Sequence, residues 1–352
     1  MSFDRDVQEY YRTNYSKCDF SSEPFPFIAN SNNYALCIRI VNCICLPVYI
    51  FGCYCILEKT PKTMSSLKWP LFINHFCSSF HDILLCQLMT PVYLLPALAI
   101  CPLGVFYWLK VPVEVQVYVF IGAGYTGMVA MTWLFENRSS SITYNKFRIT
   151  RTSTKRVYYG VRLLIYQNYW VPFLFYFPDQ NKSRMEILKV LPCPVEEFFT
   201  HPLITVGTDP SNTMFFELPS STFTLLEYFQ FFFFAGCCVY YLFLKKNGLV
   251  SAQTRQMQIR YFYGVMAQCI VPLTFLAIPT AFFEFSFMFG FHYRGITNLL
   301  LIIFSTHGFV QAIVIIAIHR PYREFIMSFF RIPLTLKKRV LPRRTETEET
   351  LF

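Results

Sequence analysis

Long apolar segments recur seven times along this chain, and a soluble architecture has no way to hide them. They occupy residues 34–57, 70–95, 113–135, 158–177, 223–244, 261–285 and 295–318. Each reaches the roughly 20 residues that an α-helix needs to cross a hydrocarbon core about 30 Å thick. The rest of the composition agrees: 54% of residues are hydrophobic and 19% aromatic, whereas 15% are charged, against about a quarter in soluble domains. In lipid only helices and closed barrels satisfy their backbone hydrogen bonds. The segments lack the strict alternation of barrel strands and are about twice their length. The fold class expected is therefore all-α, a bundle of seven transmembrane helices.

Lysine and arginine set the orientation. The stretches 58–69, 139–157, 245–260 and 319–352 hold twenty of them, whereas 1–33, 96–112, 178–222 and 286–294 hold eight. That asymmetry puts an amino-terminal region of residues 1–33 outside and the tail, 319–352, in the cytoplasm. The formal charge of +10 then reads as a cytoplasmic face beside anionic membrane lipid, not as a nucleic-acid site. The first 30 residues show no continuous apolar core behind basic residues, so no cleavable signal peptide is expected. Asn14 and Asn181 begin sequons on the outer side. A third, at Asn137, falls inside.

Of 13 cysteines, ten lie within the segments and read as small packing residues. Cys18, Cys101 and Cys193 face the oxidising side. Spacing does not choose among their pairings; the expectation taken here is Cys101–Cys193, tying the first outer loop to the second.

Several polar residues sit where lipid makes them costly. Asp82 lies about twelve residues into the second segment and His307 about twelve into the seventh, near the midplane by helical rise. A contact between them is expected, with Asn42, Ser78 and Gln311 as further members. Ser78 and Gln311 are each four residues from a partner and share its helix face. Pro272 and Pro279 interrupt the sixth segment, where a missing backbone N–H kinks a helix. After the seventh, residues 321–332 put Phe325, Ile326, Phe329 and Phe330 on one stripe, with Arg323 and Arg331 among the polar positions, as an amphipathic helix on the inner leaflet would.

The third segment ends in Glu136-Asn137-Arg138. Charges collect at membrane borders for a simple reason: they must leave the lipid. Seven helices with an acid-x-base triplet closing the third nevertheless resemble the rhodopsin-like receptors, whose triplet contacts the G protein. Here the acid and base are two apart and do not share a face. A narrower resemblance rests on "TPKTMSSLKWPLFINHFCSSFHDILLCQLMTPVYLLP" at 60–96, "FENR" at 135–138, "SAQTRQMQ" at 251–258, Gln268 four before Pro272, His307-Gly308, and Pro321-Tyr322-Arg323. Together, over residues 34–332, these are similar to the nematode serpentine chemoreceptors of class H, within the Str group. The resemblance implies a receptor for a small odorant-like molecule, coupled to a heterotrimeric G protein in the plasma membrane, in the cilia of sensory neurons. It implies coupling through Glu136, Asn137 and Arg138.

Counting back from Arg138 to where amine receptors carry an aspartate reaches Phe120, so that carboxylate is absent. Outer-half residues that are candidates for ligand contact are Gln116, Phe120, Glu227, Gln230, Glu284 and Asn298, around an aromatic pocket. Neither a metal-ligand spacing nor a nucleophile motif is present: His75 and His81 are six apart, which is not one helix face. No enzyme, cofactor or metal is expected. A small-molecule transporter or a ligand-gated channel is the alternative, though no internal repeat supports it.

The orientation is directly testable. Asn14→Gln should remove a glycosidase-sensitive mobility shift and Asn137→Gln should not; a shift that depends on Asn137 reverses the topology.

Overall fold

In a computed structural model the described residues are 5–18, 23–175, 178–205, 210–245, 252–291 and 293–330. Seven long helices dominate them. Helix α1 is Ser31–Glu58. Helix α2 is Ser65–Ile83, continued by a π-helical turn, Leu84–Met89. Helices α3 and α4 are Val113–Ser141 and Thr152–Tyr169. Helix α5 is Pro210–Val239, with a π-helical end at Tyr240–Leu244. Helix α6 joins Ala252–Pro272 to Ile278–Phe289 through a π-helical stretch, Leu273–Ala277. Helix α7 comes in two pieces, Arg294–Phe304 and His307–Ile318. A further helix, α8, follows at Arg320–Phe330.

Five of these, α1, α3, α5, α6 and α7, contain stretches long and apolar enough to cross a membrane by composition alone. The other two are diluted by polar residues that point inward. Helix α2 buries Asn74, His75, Ser78, Ser79, His81 and Asp82, and α4 buries Arg162. Outward-facing positions are apolar instead: Leu36, Ile40, Ile44 and Ile50 of α1 are all exposed, as lipid contact allows. Helix α2 packs on α1, α3 and α7, and α3 also packs on α4 and α5.

Local chemistry sets the helix ends. The Asn30 side chain caps α1, accepting from the backbone N–H groups of Asn32 and Asn33 at 3.0 and 3.2 Å. The second apolar segment, expected to remain helical to residue 95, stops at Met89. Pro91 cannot continue the helical hydrogen bonds and excludes the α conformation from the residue before it; Thr90 adopts φ 43°. Pro91–Leu94 instead forms strand β1, antiparallel to β2 at Ala99–Pro102, which pairs with β3 at Ile204–Thr205. This small sheet, absent from the all-α expectation, joins the first and second outer loops. In α6, Pro272 and Pro279 bracket the π-helical stretch, which accommodates the hydrogen bonds they remove.

The amino-terminal helix, Arg5–Thr13, lies against the second outer loop. Tyr10 donates to Pro192 O at 3.0 Å and Tyr11 to a Glu196 carboxylate oxygen at 3.1 Å. The bridge there is Cys18–Cys193, correcting the expected Cys101–Cys193. Cys101 is committed to β2, fully buried, with its sulfur facing Glu197 O at 3.8 Å, and burial pushes its thiol well above the usual range. Arg184, in the helix Gln180–Val190, organises the same loop from within. Its guanidinium donates to Phe198 O and, at 2.8 Å, to His201 O, and burial lowers its pKa to about 10.

At the inner side α8 lies against α1. Phe325 approaches the rings of Phe51 and Tyr54 with centroids 6.3 and 5.8 Å away. The Tyr322 hydroxyl meets Thr60 Oγ1 at 2.7 Å. Residues 331 and 332 of the expected amphipathic helix lie outside the described residues.

The bridge gives a clear test. Non-reducing peptide mapping should recover Cys18 linked to Cys193. Cys18→Ser should lower thermal stability by a disulfide's usual worth, about 2–5 kcal/mol, while Cys101→Ser leaves the bridge intact. A peptide joining Cys101 to Cys193 would contradict the structure.

Candidate functional site

The break in α7 creates a need that Asp82 meets. Where a helix restarts, its first backbone N–H groups have no intrahelical acceptor. Gly308, at the start of the second piece, donates its N–H to Asp82 Oδ2 at 2.9 Å. The same oxygen accepts from the Tyr49 hydroxyl of α1 at 2.7 Å. The other carboxylate oxygen, Oδ1, lies 2.6 Å from His307 Nδ1. Negative charge at a helix N-terminus is also favoured by the peptide dipoles. One fully buried carboxylate thus joins α1, α2 and α7. Close approach requires glycine at 308, because a Cβ there would sit 2.6 Å from Asp82 Oδ2.

Of the residues expected in this cluster, Ser78 and Gln311 meet at 2.9 Å. Asn42 is buried on α1, but its amide nitrogen bonds none of the described residues; Tyr49 supplies the contact to Asp82 from that helix. His81, the neighbour of Asp82, has its ring 5.7 Å from that of His307. Donor atoms of His81, Asp82 and His307 lie within 4.8 Å of one another. These residue types could hold a metal ion, yet both Asp82 oxygens already contact protein groups.

Above this cluster lies a cavity of about 370 Å³, within the range of small-molecule sites. Helix α2 contributes His81, and α3 contributes Glu114, Phe120, Ile121 and Met128. Helix α6 supplies Phe283 and Glu284, α7 supplies Leu301 and Phe304, and the outer sheet closes it with Tyr93, Ile100 and Ile204. Phe120 stacks on His81 with centroids 4.7 Å apart.

Of the six ligand candidates, Phe120 and Glu284 line this cavity. The other four are directed at protein groups. Gln116 donates to Val111 O at 2.9 Å and Asn298 to Ile28 O at 2.8 Å. Gln230 accepts from the Tyr158 hydroxyl. Glu227 is engaged by Arg162 of α4 and, at 3.0 Å, by the Thr132 hydroxyl of α3. Two charges that would be costly alone in lipid therefore compensate each other.

At the inner end of α3, Glu136 is fully buried and paired with Lys155 of α4 at 2.9 Å. Ser140 donates to it at 2.5 Å. Asn137 reaches Ser66 O of α2 at 3.0 Å. Arg138 is half-buried, near enough to Cys238 and His319 for its charge to act on both. The acid and the base of the triplet thus serve different neighbours. Asn14 and Asn181 are exposed, and Asn137 is half-buried.

Sequence reasoning missed Tyr49, His81 and Gly308. A lone tyrosine in an apolar helix carries no distinguishing signal. His81 did carry one, since it adjoins a midplane aspartate.

The Asp82–His307 contact predicts non-additive losses. Asp82→Leu and His307→Leu should each destabilise the protein by about 3–5 kcal/mol, the cost of stranding one member of a buried pair, and the double variant by less than their sum. Thermal unfolding of the three variants checks this. Strictly additive losses would mean that the two do not interact.

Comparison with known proteins gives this architecture a family. The family profile described as serpentine type 7TM GPCR chemoreceptor Srh matches residues 29–332. Serpentine receptor class H-72 of Caenorhabditis elegans is 33% identical over 327 residues, covering 92% of each chain. The chain is a multi-pass membrane protein that belongs to the serpentine class H family of seven-transmembrane chemoreceptors.

Proposed function

We propose that this chain is a G-protein-coupled chemosensory receptor that binds a small odorant-like molecule in the cavity among α2, α3, α6 and α7. The observation that carries this reading is the position of His81. Its ring lines the cavity on one side and stands against His307 on the other. A ligand that moves His81 or its stacking partner Phe120 therefore acts next to the carboxylate that joins α1, α2 and α7. The π-helical stretch in α6 adds a segment with weakened hydrogen bonding, the kind of place where a helix can change direction.

At the cytoplasmic end, Arg138 faces the partner. Lys146, Arg148, Arg151, Lys155 and Arg156, together with the basic positions of 245–260, give that side a positive potential that orients an acidic partner surface on approach. The partner is a heterotrimeric G protein, and the membrane is the plasma membrane, in the cilia of sensory neurons. Serpentine receptor class H-72 supports the receptor class and leaves the ligand open.

Expression in a heterologous cell with a calcium or cyclic-nucleotide reporter, screened against small odorants, tests the reading. Arg138→Ala should abolish the response while preserving ligand binding and surface delivery. Signalling that survives this change at normal expression would reduce the triplet to a charge cluster at the membrane border.

A further inference from the structure

Three ionisable side chains line the cavity, Glu284 exposed, Glu114 half-buried and His81 buried. Glu284 lies in α6, about 7.5 Å of helical rise before its outer end at Phe289. Glu114 occupies the first turn of α3. Among the described residues neither carboxylate has an ion-pair or hydrogen-bond partner, and neither lysine nor arginine lines the cavity. His81 is 7% exposed and faces the cavity, and neither of its ring nitrogens is hydrogen-bonded among the described residues. An imidazole always presents at least one N–H, so a buried one with nothing to bond is waiting for a partner.

From this arrangement, and resting on the reading of the cavity as the ligand site, we infer that the ligand is a small protonated amine. Its apolar body carries a second hydrogen-bonding group at the inner end. The ammonium binds Glu284, and Glu114, nearer the mouth, adds negative potential that draws cations in. Phe120, Ile121, Met128, Phe283 and Phe304 surround the body, and their ring faces also tolerate a cation. The inner group, a hydroxyl or carbonyl, meets His81. A carboxylate ligand would face two like charges with no counter-charge, and a neutral alcohol would leave Glu284 without a charge partner. Selection thus comes from charge, since the aromatic wall accepts many shapes. Phe120 stands where other amine receptors keep an aspartate, so this solution places the anion on a different helix.

Purified full-length receptor in lipid nanodiscs, probed by calorimetry with four probes of one length, tests the inference: hexylamine, hexanol, hexanoate and 6-amino-1-hexanol. Hexylamine should bind about 10- to 100-fold tighter than hexanol, the range for one charge-assisted hydrogen bond, and hexanoate weakest. Glu284→Gln, nearly isosteric, should erase the preference for the amine and leave hexanol unchanged. His81→Phe should weaken 6-amino-1-hexanol and spare hexylamine. Thermal unfolding without ligand verifies that both variants fold. Hexanol or hexanoate binding as tightly as hexylamine overturns the amine inference, as does an amine preference that survives Glu284→Gln. Met128→Trp, which fills the cavity, separates the two levels of argument. If it abolishes hexanol binding after the amine preference has failed, the cavity remains the ligand site; if no probe responds to it, the cavity reading itself fails.

Discussion

In lipid there is no water to complete a hydrogen bond, and the two-piece seventh helix would be untenable without a substitute. Asp82 is that substitute. Ser305 and Thr306 turn their hydroxyls back onto Ile302 O and Ile303 O, both at 2.7 Å, and the helix restarts at His307. The restart exposes backbone N–H groups at the midplane, where each unsatisfied one costs several kcal/mol. A carboxylate has lone pairs for several donors: Asp82 takes one from the backbone and one from Tyr49 on Oδ2, while Oδ1 lies 2.6 Å from His307 Nδ1, which also meets Phe304 O at 3.0 Å. The broken helix and the buried acid solve each other's problem.

The same logic recurs one layer away. Arg162 and Glu227 join α4 to α5, with Thr132 of α3 as the third partner. Gln167 of α4 donates to Gly122 O at 2.9 Å and to the Thr126 hydroxyl at 3.0 Å. These polar groups, which weaken the segments' apolar character, are turned toward neighbouring helices. That accounts for the fourth helix being the least apolar of the seven while remaining in the bundle. Directional contacts of this kind also specify which helices are neighbours, which dispersion packing alone does weakly in lipid.

Much of this was legible in the sequence. Segment length and the loop charges outlined a seven-helix bundle, and equal depths of Asp82 and His307 brought the two together. What stayed hidden followed from physics that pattern reading does not carry. An apolar run of four to eight residues fits strand or helix equally, so 91–95 was read as helix although Pro91 marked its end. Glu227 looked like a ligand group; its pairing with Arg162 depends on helix order, not spacing. The bridge was misassigned because Cys18 reaches Cys193 only after the amino-terminal helix has folded back over the outer loop. No spacing rule encodes the break in α7, since Ser305-Thr306 lacks the proline that usually signals one.

The amino-terminal segment has a consequence of its own. Glu23 holds Arg294 at 3.1 Å, Ile28 O accepts from Asn298, and Gly295 lies so close to Pro24 that a Cβ there would be 1.7 Å from its carbonyl oxygen. A nine-residue helix such as Arg5–Thr13 is too short to persist alone in water, and a few contacts from tyrosine hydroxyls make a weak complex between separate molecules. Covalent attachment at Cys193 on one side and chain continuity into α1 on the other make those contacts intramolecular. Their strength is then governed by effective concentration, in the millimolar range for short tethers, and not by intrinsic affinity. The cap over the outer face thus has two tethers, and cutting the bridge would leave chain continuity alone to hold it, lowering the effective concentration of the docked segment without altering its other contacts.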